Sequence, residues 1–186
     1  MHLEAAALAT RSLLVALGYD PTDPDLTDTP ARVARAWAEM LDADAGHTQR
    51  IFMADSVDEM VVLRGVTGWS VCEHHLLPFS YVAAVAYVPA LDEGHSPIVG
   101  LSKLARIVRR HGAALQVQER MTQQVADDVE QTTGARGVGV RISGVHLCAV
   151  MRGVRAEQAE LVTTVLRGYL RESAAARAEF LDAASR

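Results

Sequence analysis

Two short segments of the chain carry side chains that can bind a metal. The first is Cys72-Glu73-His74-His75, in which two residues separate Cys72 from His75, a gap that is common in zinc sites. The second is Val145-His146-Leu147-Cys148. If this segment is a strand, His146 and Cys148 face the same way, because strand side chains alternate. Two thiolates and one imidazole would give three protein ligands and leave a position for water, as in catalytic zinc sites.

The same residues allow other interpretations. Cys72 and Cys148 are the only cysteines, and such a pair can also form one disulfide or remain as two unrelated thiols. We see no secretory signal and no membrane-spanning apolar run, so we expect a cytoplasmic protein, in which a stable disulfide is disfavoured. His74 and His146 are left beside the proposed ligands. A lone histidine is usually structural, but imidazole titrates near neutral pH, and these two are candidates for proton transfer.

A second group of residues is suited to a phosphorylated, nitrogen-rich ligand. Gly100, Ser102 and Lys103 stand at a predicted helix start, where free amides attract phosphate, and Arg106 lies one turn further on. Lys103 is the only lysine. Either its presence among arginines is chance, or this position requires a compact ammonium group. Glu119, in the first turn of the next predicted helix, could suit the helix dipole or accept hydrogen bonds from the ring N–H and amino group of guanine.

The composition is that of a soluble globular protein, with 49% hydrophobic and 22% charged residues. The formal net charge of −5 argues against nucleic-acid binding, so an anionic ligand would need a local basic pocket. Arg32 and Arg35 lie three residues apart on a predicted helix that begins at Thr29-Pro30. Taken alone, their shared face is more simply explained as solvated surface.

The predicted elements alternate pairs of helices with pairs of strands. The helices span residues 3–17, 29–41, 102–112 (with Ser102 as the N-cap) and 117–132, and a further helix starts at Ala156. The strands span residues 60–71, 81–88, 136–143 and 145–154. Residues 44–56 look irregular, and residues 90–97 look like a loop. Pairs of strands divided by helices favour an α+β protein with an antiparallel sheet.

Several separated motifs resemble, in order and spacing, those of the GTP cyclohydrolase I family. They are CEHHLLPF, AYVP, GLSKLARIV, QVQER and H-x-C followed by RGV, with TPARVARAW and VDEMVVL upstream. The resemblance covers nearly the whole chain. It implies the tunnelling fold, a four-stranded antiparallel sheet backed by two helices, with an N-terminal helical pair and a C-terminal helix. We therefore expect an N-terminal helical segment at 1–56 and a catalytic domain with the C-terminal helix at 57–186.

The resemblance also implies an activity, the zinc-dependent opening of the imidazole ring of GTP with release of formate, giving 7,8-dihydroneopterin triphosphate. By their positions, Cys72, His75 and Cys148 would bind zinc, and His74 and His146 would transfer protons. The positions that would bind substrate are Arg32, Arg35, Ser102, Lys103, Arg106 and Arg152 for the triphosphate, with Gln118 and Glu119 for the purine. The family assembles as two stacked five-membered rings with shared active sites, so we expect a homodecamer.

The sequence departs from the family pattern in three places. Tyr81 and Val82 replace a glycine and a polar or basic residue, Ala113-Ala114-Leu115 lacks a usual arginine, and the 90–97 loop is longer. Three other functions are alternatives: a family member that stops at a ring-opened or formylated pyrimidine, a reductase of 7-cyano-7-deazaguanine, and a non-catalytic nucleotide-binding ring protein. The intact ligand set argues against the reductase, and both spare histidines argue against the non-catalytic protein. The pathway that the product feeds is left open.

Overall fold

The computed structural model describes residues 1–42, 51–55, 59–91 and 95–185. The chain divides into two compact units, Met1–Asp42 and Ala43–Arg186. The boundary expected between residues 56 and 57 falls outside the described residues and stays a prediction. Among the helices that are described, none is long and apolar enough to cross a membrane.

The first unit is a pair of helices, α1 (Leu3–Ala16) and α2 (Thr29–Met40). Helix α1 is followed by Gly18 at φ +86°, a left-handed conformation that commonly ends a helix. Pro30 occupies the first turn of α2, where its missing N–H costs nothing. Arg32 and Arg35 are exposed on α2, and Arg32 forms an ion pair with Asp28 at 3.0 Å. The expected N-terminal helical pair is confirmed.

The second unit contains seven of the described strands and five of the described helices. In chain order they are β1 (Ile51–Asp55), β2 (Val61–Cys72), β3 (Pro78–Val88), β4 (His95–Val99), α3 (Leu101–Gly112), β5 (Leu115–Gln116), α4 (Gln118–Thr133), β6 (Gly137–His146), α5 (Leu147–Val150), β7 (Leu161–Gly168), α6 (Tyr169–Glu172) and α7 (Ala174–Ser185). Five strands form one sheet with the order β5-β2-β3-β6-β7. Its four long strands are antiparallel neighbours, and the two-residue β5 runs parallel to the end of β2. A separate two-stranded sheet pairs β1 with β4.

Helices α3 and α4 cover one face of this sheet, and α7 packs on the other. Successive strand residues point to opposite faces, so Val85 joins the core beneath α3 and α4, whereas Ala86 packs with Phe180 of α7. All three are fully buried, and removing this apolar surface from water is the main force that holds the layers together. The expected α+β tunnelling architecture is confirmed.

Tyr81, one of the departures from the family pattern, has a clear structural place. The side chain is buried, and burial raises the pKa of its hydroxyl. A Cβ built at Gly68 would lie 2.3 Å from the phenol oxygen, and one built at Gly112 would lie 2.6 Å from it. Because real Cβ atoms do not approach so closely, the two glycines make the space that the phenol fills.

Several element boundaries were predicted wrongly. Residues 145–154 are not a strand, because β6 already ends at His146 and a single helical turn, α5, follows. The fourth long strand is β7, which lies where a helix was expected. Its run Val162-Thr163-Thr164-Val165 is β-branched, which favours a strand, and β6 offers the edge on which it pairs.

Three shorter predictions were also wrong. The segment expected to be irregular contains β1, and part of the expected 90–97 loop belongs to β4, because these two strands pair with each other. Helix α3 begins at Leu101, so Ser102 is its second residue and makes no capping hydrogen bond. Local composition did not reveal the pairing of β1 with β4, which joins distant parts of the chain.

Candidate active site

Cys72 and His75 lie on the turn that joins β2 to β3. The Cys72 N–H donates to the Leu77 carbonyl at 2.9 Å, and the Leu76 N–H donates to the Cys72 carbonyl at 2.9 Å. Leu76 takes φ +53°, which is uncommon for a residue other than glycine. This tight turn brings the His75 ring back toward Cys72, with 3.7 Å between Nδ1 and the sulfur.

Cys148 approaches the same point from α5. The sulfur atoms of Cys72 and Cys148 and a ring nitrogen of His75 all lie within 4.8 Å of one another, and both cysteines are free thiols. The expectation that His146 and Cys148 share one strand face was wrong, since Cys148 lies on α5. The ligand candidates still converge, because the helical turn redirects the chain immediately after β6.

This donor set fits a zinc ion. Thiolate and imidazole are the ligands that zinc favours. Burial raises the pKa of the Cys148 thiol, and Cys72 raises it further, first through a hydrogen bond with this thiol and then through the repulsion between two adjacent thiolates. A divalent cation would offset that repulsion and favour both thiolates.

The cluster forms part of the wall of a cavity of about 440 Å³, a size that suits a small-molecule ligand. The predicted residues on the cavity wall are the three cluster residues with His74, His146, Gln118 and Glu119. Glu160 adds a second carboxylate. The described residues of the wall include no lysine or arginine.

An ion pair that the sequence analysis missed links the Cys72–His75 turn to α4. Arg120 forms an ion pair with Glu73, and this contact lowers the pKa of the Glu73 carboxyl. Arg120 also donates to the Gln116 side-chain oxygen at 3.1 Å and to the Leu115 carbonyl at 3.2 Å. His74 stays exposed beside this pair, with its Nε2 3.9 Å from Glu73. The turn is therefore anchored to the start of α4.

His146, the last residue of β6, is held in a fixed orientation. Its ring stacks on Phe79 with 4.2 Å between centroids and an interplanar angle of 8°. Its Nε2 lies 3.0 Å from the side-chain oxygen of Gln118. Burial lowers the pKa of His146, and the charge of Glu119 opposes that effect. The ring therefore favours its neutral form more than an exposed histidine does.

The predicted phosphate ligands of the second unit do not reach this cavity wall. Ser102, Lys103 and Arg106 occupy the first turns of α3, and Lys103 is half-buried there. Arg152 follows α5 and donates to the Cys148 carbonyl at 3.4 Å. The structure thus brings together the metal-binding, proton-transfer and purine candidates on one cavity wall. Lys103, Arg106 and Arg152 are not among the described residues of that wall. Arg32 and Arg35 belong to the first unit.

Two further residues of the cavity wall were not predicted. A Cβ built at Gly144 would lie 2.3 Å from the Gln118 side-chain oxygen, so this glycine allows Gln118 to approach β6. A glycine inside a predicted strand was the available signal, since it often marks a close approach. Glu160 accepts a hydrogen bond from the Ser143 hydroxyl at 2.7 Å. Its position could not be predicted, because its segment was assigned to a helix.

Over most of its length, the chain is similar to proteins of one enzyme family. A family model described as GTP cyclohydrolase I matches residues 6–185. A GTP cyclohydrolase 1 of Thermobifida fusca is 46% identical over 181 residues, which cover 94% of this chain and 84% of that protein. One from Deinococcus radiodurans is 44% identical, covering 94% and 80%, and one from Alkalilimnicola ehrlichii is 43% identical, covering 96% of each chain. A solved structure of the archaeosine synthase QueF-Like is 16% identical with a TM-score of 0.48, covering 61% of this chain and 97% of that one.

Proposed function

The chain belongs to the GTP cyclohydrolase I family, and from that premise we propose that it opens the imidazole ring of GTP, releases formate and forms 7,8-dihydroneopterin triphosphate. It is an enzyme, as the family match and the relatives named GTP cyclohydrolase 1 indicate. The observation that carries the finer proposal is the convergence of Cys72, His75 and Cys148 on a cavity wall that also holds Glu119 and His146.

The metal in this proposal is zinc, held by Cys72, His75 and Cys148. When bound, zinc supplies Lewis acidity that makes water a nucleophile near neutral pH. The protein keeps the three donors together through the tight turn at Leu76 and through α5. The ion pair between Glu73 and Arg120 fixes that turn against α4.

Glu119 is the group that we assign to the purine. It lies in the first turn of α4, a position at which acidic side chains suit the helix dipole. A carboxylate can accept hydrogen bonds from the ring N–H and the amino group of guanine together. The C8 edge lies on the opposite side of the purine, so binding through the pyrimidine edge leaves C8 free to face the cluster of Cys72, His75 and Cys148.

His146 is the proton donor that we assign to ring opening. Its ring is oriented by Phe79 and by Gln118, and its lowered pKa makes the protonated form a stronger acid. General acid catalysis of this kind contributes about 100- to 10,000-fold. His74, exposed on the Cys72–His75 turn, is the second proton-transfer group in this proposal.

The triphosphate requires cations, and the described residues of the cavity wall include none. The wall carries Glu119 and Glu160, and a polyanion is bound only where positive charge offsets its own. We assign that charge to Arg32, Arg35, Lys103, Arg106 and Arg152, with active sites shared between chains of a homodecamer of two five-membered rings. Exposed Trp69 and Val82 on one sheet face are consistent with cover by another chain.

The compartment that we propose is the cytoplasm, because its reducing environment keeps the thiols of a zinc-thiolate enzyme from forming a disulfide.

The direct test of the activity is to incubate the zinc-loaded protein with GTP and to measure formate and the fluorescent pterin. Both products should form, and Cys148→Ser, which removes one proposed ligand, should form neither. Formate without the pterin would support the alternative that stops at a ring-opened pyrimidine. Absence of both products from the zinc-loaded wild type would contradict the proposed function.

The shared active site has its own test. Lys103→Ala and Cys148→Ser should each be inactive alone, because one weakens triphosphate binding and the other removes a ligand. Subunits mixed by unfolding and reassembly together should regain part of the activity, since some sites would combine an intact Lys103 with an intact Cys148. Light scattering should report ten subunits. An active monomer, or mixed assemblies without recovered activity, would contradict sharing.

A further inference from the structure

The side chain of Gln118 is fully buried, and its amide group is fully used within the protein. The two hydrogens of the amide nitrogen are shared among three acceptors: the Ile142 carbonyl at 3.0 Å, the Leu161 carbonyl at 2.8 Å and the Thr163 hydroxyl at 3.1 Å. Backbone carbonyls only accept hydrogen bonds, so the NH₂ group must face β6 and β7. The amide oxygen must then face His146, 3.0 Å from its Nε2.

This orientation determines which nitrogen of His146 carries the hydrogen. An amide oxygen only accepts hydrogen bonds, so Nε2 of His146 must donate, and a neutral imidazole with its hydrogen on Nε2 has a lone pair on Nδ1. Stacking on Phe79 opposes rotation of the ring. Among the hydrogen bonds of the described residues, none involves Nδ1 of His146. Nδ1 is therefore the nitrogen left to exchange protons with a ligand in the cavity.

Neighbouring residues keep Gln118 in this arrangement. Gly144 leaves room for the amide oxygen, which a Cβ at that position would meet at 2.3 Å. Behind the amide, Thr163 also shares a hydrogen bond of 2.7 Å with the Thr122 hydroxyl, and Thr122 donates to the Gln118 carbonyl at 2.7 Å. Buried networks in which every group is satisfied tend to fix a single geometry.

We propose that Gln118 is a positioning residue that holds His146 with its hydrogen on Nε2 and so makes Nδ1 the atom that protonates the guanine ring. This inference rests on the proposed function. It also replaces the purine contact first expected of Gln118, whose amide has no free donor for a ligand.

In the step concerned, the oxygen of water forms a bond to C8 while the C8–N7 double bond becomes single. N7 takes a proton from Nδ1 of the imidazolium form of His146, which returns to the neutral ring with its hydrogen on Nε2. The water oxygen keeps one hydrogen and releases the other to solvent as a proton, and Nδ1 of His146 is reprotonated from solvent. The net change is the addition of one water across C8 and N7.

Gln118→Met tests the positioning role, because methionine keeps the length of the side chain and lacks the amide. The matched control is Gln123→Met on the exposed side of the same helix. For Gln118→Met we expect kcat to fall by about 100-fold, the effect of a misplaced catalytic group, with the KM for GTP within about twofold of wild type and the zinc content unchanged. The control should keep wild-type kcat and KM.

Each other kinetic outcome overturns the inference. A large rise in KM at unchanged kcat would make Gln118 a purine ligand. A lower melting temperature with wild-type kcat would make it a core residue only.

The nitrogen spectrum of zinc-loaded wild-type protein labelled with 15N-histidine provides a test that needs no Gln118 variant and no activity. The His146 signals, identified by their loss in His146→Ala, should show a hydrogen-bonded N–H at Nε2 and an unprotonated Nδ1. A proton on Nδ1 with a bare Nε2 would overturn the inference even if Gln118→Met fails to fold. Failure of wild type to release formate would instead refute the proposed function, so the two failures are distinguishable.

Discussion

Gly144 offers the sharpest test of how the site is built, because a single methyl group there would disturb the Gln118–His146 contact from outside both residues. Gly144→Ala would put a Cβ 2.3 Å from the Gln118 side-chain oxygen and 3.1 Å from the Ser80 carbonyl. The Ser80 carbonyl belongs to the backbone of β3 and cannot give way easily. Gln118 must therefore move.

The size of the effect follows from that displacement. Ordinary Cβ contacts begin near 3.4 Å, so the amide oxygen must retreat by about 1 Å, and such a misplacement near the chemistry can cost about 100-fold in rate. Overpacking of a core typically costs about 1–3 kcal/mol of unfolding free energy. We expect Gly144→Ala to lower kcat by about 10- to 100-fold and to lose stability in that range, with zinc retained because Cys72, His75 and Cys148 are not displaced.

The assay compares formate release, zinc content and chemical denaturation for Gly144→Ala and for Gly139→Ala. Gly139 lies on the same strand but faces α7, where an added Cβ would lie 3.0 Å from the Phe180 ring. The control should therefore lose stability to a similar or smaller degree and keep wild-type kcat. If both variants lose stability equally and both keep kcat, or if Gly139→Ala loses as much kcat as Gly144→Ala, the reasoning is refuted.

Three further predictions concern other parts of the protein. Cys148→Ser should lose zinc and activity together, whereas His146→Ala should keep zinc and lose pterin formation; elemental analysis showing the reverse would mean that the ligand set is wrong. Lys103→Arg should raise the KM for GTP, because guanidinium does not replace a compact ammonium, and unchanged GTP saturation would mean that this lysine has no special role. Burial raises the pKa of Asp128, but hydrogen bonds from His111 and Arg110 outweigh it and lower the pKa overall, so Asp128 stabilises the fold above its unfolded pKa of about 3.9 and less as pH falls below it. Asp128→Asn should thus lose about 1–2 kcal/mol at pH 7 and less at pH 3, and denaturation curves showing equal losses at both pH values would contradict this.

Residues close together in sequence made part of this site predictable. Cys72 and His75 meet through one tight turn, whose hydrogen bonds join residues 72 to 77. Helix starts were also local signals, since Pro30 lies in the first turn of α2 and Glu119 in that of α4. Motif order and spacing were enough to predict the family and the α+β architecture, both of which the comparisons and the fold support.

Distant parts of the chain decided the rest. Gln118 faces inward because its amide donates hydrogen bonds to the carbonyls of Ile142 and Leu161, which are 24 and 43 positions away in the sequence. These carbonyls belong to β6 and β7, and β7 was predicted to be a helix. Cys148 reaches Cys72 and His75 through a helical turn that the apolar pattern of its segment did not distinguish from a strand. The sequence by itself determined which side chains could do chemistry. Only the tertiary structure decided which atoms face the cavity, because buried polar groups must find their partners in three dimensions.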